Sequence, residues 1–478
     1  MYGSYMTDIS VSEWALTAQV IVTDRLPVIA SVDVVVVGAG AAGVAAATVL
    51  GEAGAQVLVL EKYGFAGGAA VAGMSGTICG MYLASDTHRA PQQVVHGFTE
   101  RFAQELRHRG GLTTPQKYGK TFTSAHDPLK WRETADALMT RAGADILFHV
   151  DVVGVLKEGA DYRGVVVASN AGLGVVRAKR IIDASGDAAV VARGGGAYRF
   201  GADGRIQNPT MFFRLGGVDL PTFWEAWGDD TISPPWVTEK INQARAEGMD
   251  LPRNKIWTFD TGRADELLVN ATRLIGEDGR MLNVIDPVDF TEAEINGRVQ
   301  VRAYEEFLRR SIPGCRDVYV VDTGVEVGIR QTRTIDGIAT LTNDDVVGMK
   351  KAADSICRSP WPIELHDGER PKLHWLLDDY YDVPYGTLVP AAGENIIVAG
   401  RCLSAEHEAL ASARVTAQCF EYGHAAAQAT LISLSAGTTY RDIDGRDVAA
   451  RMVAAGSALS PEFPEMDENE TEKEETRR

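Results

Sequence analysis

The stretch GRCLSAEHEALASARV (400–415) sets one thiol, Cys402, five residues before one imidazole, His407, with carboxylates at Glu406 and Glu408. Those residue types in so short a span suit a Cys-His nucleophile, half of a metal site, or neither. A second pattern lies near the other end of the chain. Gly38, Gly40 and Gly43 spell G-x-G-x-x-G, and Glu61 follows Gly38 by 23 residues. In that pattern the first glycine makes a tight turn, the second lets backbone approach a diphosphate, and the third lets a helix pack closely on a strand. A helix beginning at Ala41 and Ala42 would offer the diphosphate its unpaired N–H groups and a partial positive charge. An acid at the position of Glu61 accepts hydrogen bonds from an unmodified ribose, which favours FAD or NAD over NADP.

The elements that must hold these residues are legible around them. VDVVVVGAG (32–40) reads as a buried parallel strand, AAGVAAATVLGEAG (41–54) as an Ala-rich helix, and AQVLVLEK (55–62) as a second buried strand. Continuous β-branched runs separated by one helix length form a βαβ unit. Directly after Glu61, Lys62 opens a second Gly-rich turn that contains Gly67 and Gly68. Further strands are expected in ADILFHVDVVGVLKE (144–158), which carries the expected cofactor neighbour Val153, and in VVRAKRIIDASGDAA (175–189). ENIIVAG (394–400) is another buried strand, and a long helix is expected from about Ser412 to Leu434.

Composition bounds the rest. The 478 residues allow two or three domains, and 45% hydrophobic residues are enough for a sizeable core. The formal net charge of -18 speaks against a nucleic acid or an anionic membrane as partner, because both need a basic face. Five cysteines without a C-x-x-C pair suit free thiols in a reducing compartment, and together with no Lys or Arg before Arg25 they point to a cytoplasmic protein. The spacing gives no metal site and no Walker-type phosphate loop.

Seven blocks carry a more specific likeness. They are GAGAAGVAAA (38–47), EKYGFAGGAA (61–70), DASGDAAVVARGGGA (183–197) and VDTGVEVGIRQTRTIDGIATLTNDDV (321–346), followed by DSICRSPWPIELH (354–366), VPYGTLVP (383–390) and AGRCLSAEHEALASARVTAQCFEYGHAAA (399–427). With them the chain resembles the bacterial FAD-dependent oxidoreductase family, distant relatives of fumarate reductase flavoproteins and thiazole synthases. The resemblance implies an α/β fold: a Rossmann-like FAD-binding domain of the glutathione-reductase flavoprotein type, with an inserted α+β cap over a non-covalent FAD. It makes Lys62, Gly67 and Gly68 a turn running toward the flavin. Ala184 and Gly186 then close over the diphosphate, and Gly400 and Arg401 receive the ribityl chain. The family's GIRESRR is GIRQTRT here (328–334), a departure that bears on substrate rather than cofactor.

The expected organisation is a leader (1–30) adding an edge strand, a first FAD-binding part (31–198), a substrate cap (199–325), a second FAD-binding part (326–440), and a segment (441–478) ending in a disordered acidic tail. Arg414, at the start of the helix from Ser412, is expected beside the flavin. Arg330 and Arg333, three apart on a helix face, either clamp an anionic substrate or hold a domain contact. His366 and His407 are the proton-transfer candidates. Tyr385, with Tyr380 and Tyr381, lines either the pocket or the core. Cys79 is a packed thiol, and Cys402 belongs to the cofactor strand end rather than to a dyad with His407.

The function expected is a dehydrogenase or reductase moving hydride between flavin N5 and a small organic substrate. A flavin monooxygenase or oxidase using oxygen, and a non-catalytic flavin-binding protein, remain open, as do a homo-oligomer and a separate electron donor or acceptor.

Overall fold

The computed structural model describes residues 25–366 and 372–459. Most of the expected leader and the acidic tail therefore lie outside the described residues. Six strands run β1 (Val28–Val37), β2 (Val57–Glu61), β3 (Asp145–Phe148), β4 (Asp151–Glu158), β5 (Asp161–Ser169) and β6 (Gly172–Asp183). They pair in the order β3-β2-β1-β6-β5-β4, and Ile396–Val398 adds a further strand against β6. β1 begins at Val28 rather than Val32, and it is an interior strand of the sheet, paired with β2 on one side and β6 on the other.

β1, β2, β3, the second half of β6 and Ile396–Val398 are mutually parallel. Their last residues fall in register: Val37 opposite Leu60 and Asp183, Glu61 opposite Phe148, and Val398 opposite Asp183. All the carboxyl ends therefore open on one edge, where ligands of open parallel sheets bind. On its other side the first half of β6 also pairs antiparallel with β5, which pairs with β4 to complete a meander. Residues of β1 and β2 such as Val34, Val36 and Val59 are fully buried, as continuous β-branched runs in a covered parallel sheet require.

Two helices lie together over one face of this sheet, α1 (Ala41–Glu52) and α2 (Thr416–Ala436). They meet at Gly423, where an added Cβ would sit 2.0 Å from the Ala42 carbonyl oxygen. Gly423→Ala must push the helices apart, at a cost of about 1–3 kcal/mol. Its melting temperature is expected to fall by roughly 2–8 °C, given a few degrees per kcal/mol at this chain length. A thermal melt no lower than that of the wild type would contradict this close approach.

The long helix expected from Ser412 is in fact two. One spans His407–Ala413 and ends at Arg414; α2 begins at Thr416 after Val415 takes an extended backbone at φ -78°, ψ 165°. The Ala417 N–H then donates to the Cys79 carbonyl at 3.1 Å, so a neighbouring loop supplies the acceptor that an unbroken helix would have used.

A second core gathers Phe213, Phe223, Val269, Tyr304 and Phe307. It lies about a four-stranded antiparallel sheet in the order Trp257–Asp260, Leu267–Asn270, Phe213–Gly216, Tyr319–Thr323, with the 25-residue helix Pro287–Ser311 packed on it. A three-stranded antiparallel sheet (Thr77–Ile78, Thr121–Ala125, Gln116–Tyr118) carries Cys79 and Tyr118 to the space between these layers. Among the described residues, no helix is long and apolar enough to cross a membrane.

Candidate functional site

A cavity of about 1280 Å³ opens from the carboxyl ends of the parallel strands and reaches the second sheet. Gly38, Gly40, Ala41 and Ala42 form part of its wall. Gly38 has φ +97°, and a Cβ there would lie 2.6 Å from the Ala184 carbonyl oxygen, so only glycine makes this turn. Gly40 differs: a Cβ would meet only Gly68 Cα at 3.8 Å, so the space beside it is empty of protein. Gly43 stands off the wall and fixes α1 against the turn, with a Cβ position 1.9 Å from the Gly38 oxygen. The start of α1 has no side-chain cap and no acid in its first turn, which leaves its N–H groups to an anion.

Glu61 is 4% exposed and on the wall. One carboxylate oxygen accepts the Ala39 N–H at 2.7 Å and the other accepts the Tyr63 N–H at 2.9 Å. The acid thus braces the glycine turn as well as facing the cavity; burial pushes its carboxyl above the ordinary range. Lys62 Nζ lies 3.1 Å from Glu326, which also accepts the Tyr63 hydroxyl. Gly67, Gly68 and Val153 line the same end, and Ala184, Gly186, Gly400 and Arg401 continue the wall. Arg401 reaches Asp187 at 2.9 Å, and Asp187 accepts the Thr332 hydroxyl at 2.6 Å. Although burial opposes it, Arg401 and Thr332 hold the Asp187 carboxyl below its ordinary value.

The other end of the cavity is polar in a different way. Arg330, Glu364, His366, Tyr118 and Arg414 all line it. The Tyr118 hydroxyl donates to Glu364 Oε1 at 2.7 Å, and His366 Nε2 lies 3.4 Å from that same oxygen. Arg253 Nη2 stands 2.9 Å from His366 Nδ1. A guanidinium can only donate, so Nδ1 is the acceptor and the imidazole proton sits on Nε2, toward Glu364. Burial and the nearby Arg330 guanidinium drive His366 well below its ordinary value, so the ring is neutral. Burial resists ionisation of Glu364, yet the His366 ring, the Tyr118 hydroxyl and the nearby Arg330 guanidinium hold its carboxyl below its ordinary range. Burial also pushes the Tyr118 phenol well up.

Several expectations are corrected. Arg330 and Arg333 share no helix face: Arg330 lies in coil and Arg333 in the short strand Arg333–Ile335. Arg330 Nη1 donates to the Asn208 carbonyl at 2.7 Å, whereas Arg333 lies over the Tyr198 ring and donates to the Asp187 carbonyl at 3.4 Å. Tyr385 is absent from the wall, because its 3-10 turn points it into the core and its hydroxyl donates to the Tyr440 carbonyl at 2.9 Å. Tyr381 is likewise in the core, hydrogen-bonded to Ser412 at 2.8 Å. His407 opens the helix His407–Ala413 and contributes nothing to the wall, which removes the geometric basis for proton transfer there. Cys402 is fully buried behind the strand end, and burial pushes its thiol far up. Cys79 is on the wall with its sulfur 3.2 Å from the Thr77 hydroxyl, and burial pushes it up to about 11.

Tyr118, Glu364 and Arg253 went unmarked in the sequence. Glu364 had a signal: it stands two residues before His366 at a strand end, so the two project to one side. Tyr118 and Arg253 sit in a three-residue strand and in coil, where no periodicity marks them.

A glycine turn, an open helix N-terminus and an acid at the next strand end, all on one edge of a parallel sheet, define a dinucleotide-binding flavoprotein site. A model of the family "FAD dependent oxidoreductase" matches residues 33–452. The chain belongs to this family, and FAD is its cofactor. It is 33% identical over 172 residues to a thiamine thiazole synthase of Aeropyrum pernix, a match over 34% of this chain and 57% of that protein. Among solved structures it is similar to a geranylgeranyl bacteriochlorophyll reductase-like protein of Thermoplasma acidophilum (TM-score 0.47, 15% identity, 89% of this chain and 82% of that one). A flavin-dependent brominase overlaps with a TM-score of 0.45 at 14% identity, over 94% of this chain and 100% of that one. Overlap at this level says nothing about the reaction.

Proposed function

We propose that the protein is a dehydrogenase or reductase acting on a small organic substrate held at the Tyr118–Glu364–His366 end of the cavity. When bound there, FAD supplies the hydride acceptor or donor. The residues present fit the cofactor: the empty space at Gly40 and the uncapped start of α1 suit a diphosphate. Gly38, Ala41 and Ala42 would flank that diphosphate, Glu61 and Val153 would bound the adenosine, and Gly67, Gly68, Ala184, Gly186, Gly400 and Arg401 would hold the remainder.

The observation that carries the reading is that a hydrogen-bonded row of proton-bearing groups shares one cavity with this cradle. Tyr118 carries a proton, and Glu364 accepts its hydrogen bond and so orients the hydroxyl. His366 has its ring fixed between Arg253 and Glu364, so it positions the carboxylate. Proton exchange with the substrate then falls to the Tyr118–Glu364 pair.

The test is anaerobic mixing of FAD-loaded protein with a panel of alcohols, amines and organic acids. Loss of flavin colour without oxygen is the expected result. A product formed only when oxygen is admitted would favour the monooxygenase or oxidase alternative instead, and no flavin reduction under any condition would favour the non-catalytic one.

A further inference from the structure

We propose that the substrate end of the cavity is built to receive an organic carboxylate, held by Arg330 and Arg414 with Arg253 behind them. This inference rests on the oxidoreductase reading above and narrows its substrate class.

The argument is one of charge and unmet hydrogen bonds. Arg253 is fully buried and Arg330 is 6% exposed. Through Asn208 these groups form one cluster: Arg330 donates to the Asn208 carbonyl at 2.7 Å, and the Asn208 N–H donates to the His366 carbonyl at 2.9 Å. Arg414 joins through the preceding residue, Gln207, at 3.1 Å. Three guanidiniums thus surround one carboxylate, Glu364, while His366 is neutral. Two positive charges stand in excess within a desolvated wall, and charges buried without partners are costly. Burial, with repulsion from Arg253 and Arg414, pushes Arg330 well below its ordinary value, and burial brings Arg253 and Arg414 to about 10.

The same cluster holds donors with no acceptor. Arg253 Nε and Nη1, Arg414 Nε, and the side-chain amide nitrogens of Gln207 and Asn208 are buried and unpaired within the protein. Such groups are uncommon in folded proteins; these belong to one hydrogen-bonded cluster that reaches the cavity wall at Arg330 and Arg414, and it also holds one unpaired acceptor, the Asn208 amide oxygen. Elsewhere on the wall the cations are offset: Lys62 is engaged by Glu326 and Arg401 by Asp187, while Arg193 and Arg333 share the lining with Glu61 and Asp151. The surplus positive charge therefore belongs to the substrate end. A planar carboxylate matches the forked donors of a guanidinium, and each such bond is charge-assisted.

The test uses the oxidised, FAD-loaded protein and follows the flavin absorbance during titration with sodium benzoate, and separately with benzamide as its neutral counterpart. Benzoate is expected to bind saturably and benzamide at least about tenfold more weakly. Arg330→Met should keep its FAD and weaken benzoate by about 10- to 100-fold. Glu364→Gln removes the one opposing charge, so benzoate should tighten by roughly 3- to 10-fold, an outcome that a merely structural role for these residues would not give. If Arg330→Met does not fold, the Glu364→Gln result decides. Equal affinity for benzoate and benzamide, or weaker benzoate binding in Glu364→Gln, overturns the proposal. Failure here is separable from failure of the oxidoreductase reading. A protein whose flavin is bleached by neutral substrates while benzoate has no effect loses only the anion site; one that binds benzoate but is reduced by nothing loses only the dehydrogenase.

Discussion

Gly40→Val is expected to fold like the wild type and to lose FAD. Most glycines of such a turn cannot separate these effects, because an added Cβ strikes the protein itself, as at Gly38, where it would lie 2.6 Å from the Ala184 oxygen. At Gly40 the backbone has φ -70°, which any residue adopts, and the nearest atom to an added Cβ is 3.8 Å away. The valine therefore occupies only space meant for the cofactor. Overpacking by a few methyl-sized groups costs about 1–3 kcal/mol, so FAD affinity should fall by about 5- to 150-fold. Quenching of flavin fluorescence measures the affinity, and a thermal melt of the cofactor-free protein, unchanged within about 2 °C, shows that the fold survives.

Asp183→Ala should have the largest effect on stability. Asp183 ends β6 and is fully buried. One oxygen accepts the Ser185 N–H at 3.2 Å and its hydroxyl at 2.6 Å; the other accepts the Val190 N–H at 2.8 Å and the Val191 N–H at 3.2 Å. The helix Ala189–Arg193 begins after Ala188 with no side-chain cap of its own, so Asp183 caps it from across the turn. Alanine would leave these donors buried without partners, at about 3–5 kcal/mol in total. The melting temperature should drop by roughly 10 °C. Because Ala184, Gly186 and Asp187 lie in the loop between, FAD affinity should fall with it. Asp183→Asn keeps an acceptor on one side and should lie between the two, and a melt of Asp183→Ala within 2 °C of wild type would show that the carboxylate caps nothing.

The sequence was most informative where chemistry and backbone geometry coincide. Gly38, Gly40, Glu61, Gly186 and Gly400 lie at strand ends, and a strand of β-branched residues announces both its burial and its end. Residues such as Val153 and Arg401 came with those strands. Helical spacing misled at Arg330 and Arg333, because a three-residue interval has meaning only if the segment is helical, and this one is coil leading into a strand. Aromatic residues misled at Tyr385: a tyrosine in the core and one on a cavity wall look alike in sequence, and the difference lies in whether Tyr440 is there to accept its hydroxyl. The break at Val415 was hidden for a related reason, since the acceptor that permits it, the Cys79 carbonyl, is more than 300 residues away in the chain. The Arg253–His366–Glu364–Tyr118 row is assembled from three separate segments, so no local pattern could show it whole.

On this reading one cavity holds FAD and substrate, with the cradle of Gly40 and α1 at one part and the Arg330–Glu364–His366 wall at another. The most direct measurement is the electron density of FAD in crystals of the reconstituted protein. The diphosphate should lie against Gly40 and the start of α1, the adenosine near Glu61 and Val153, and the flavin ring toward Arg414, Arg330 and His366. A cofactor seated outside this cavity, or one lying in it with its ring beside Glu61 and its adenine beside His366, would contradict the account.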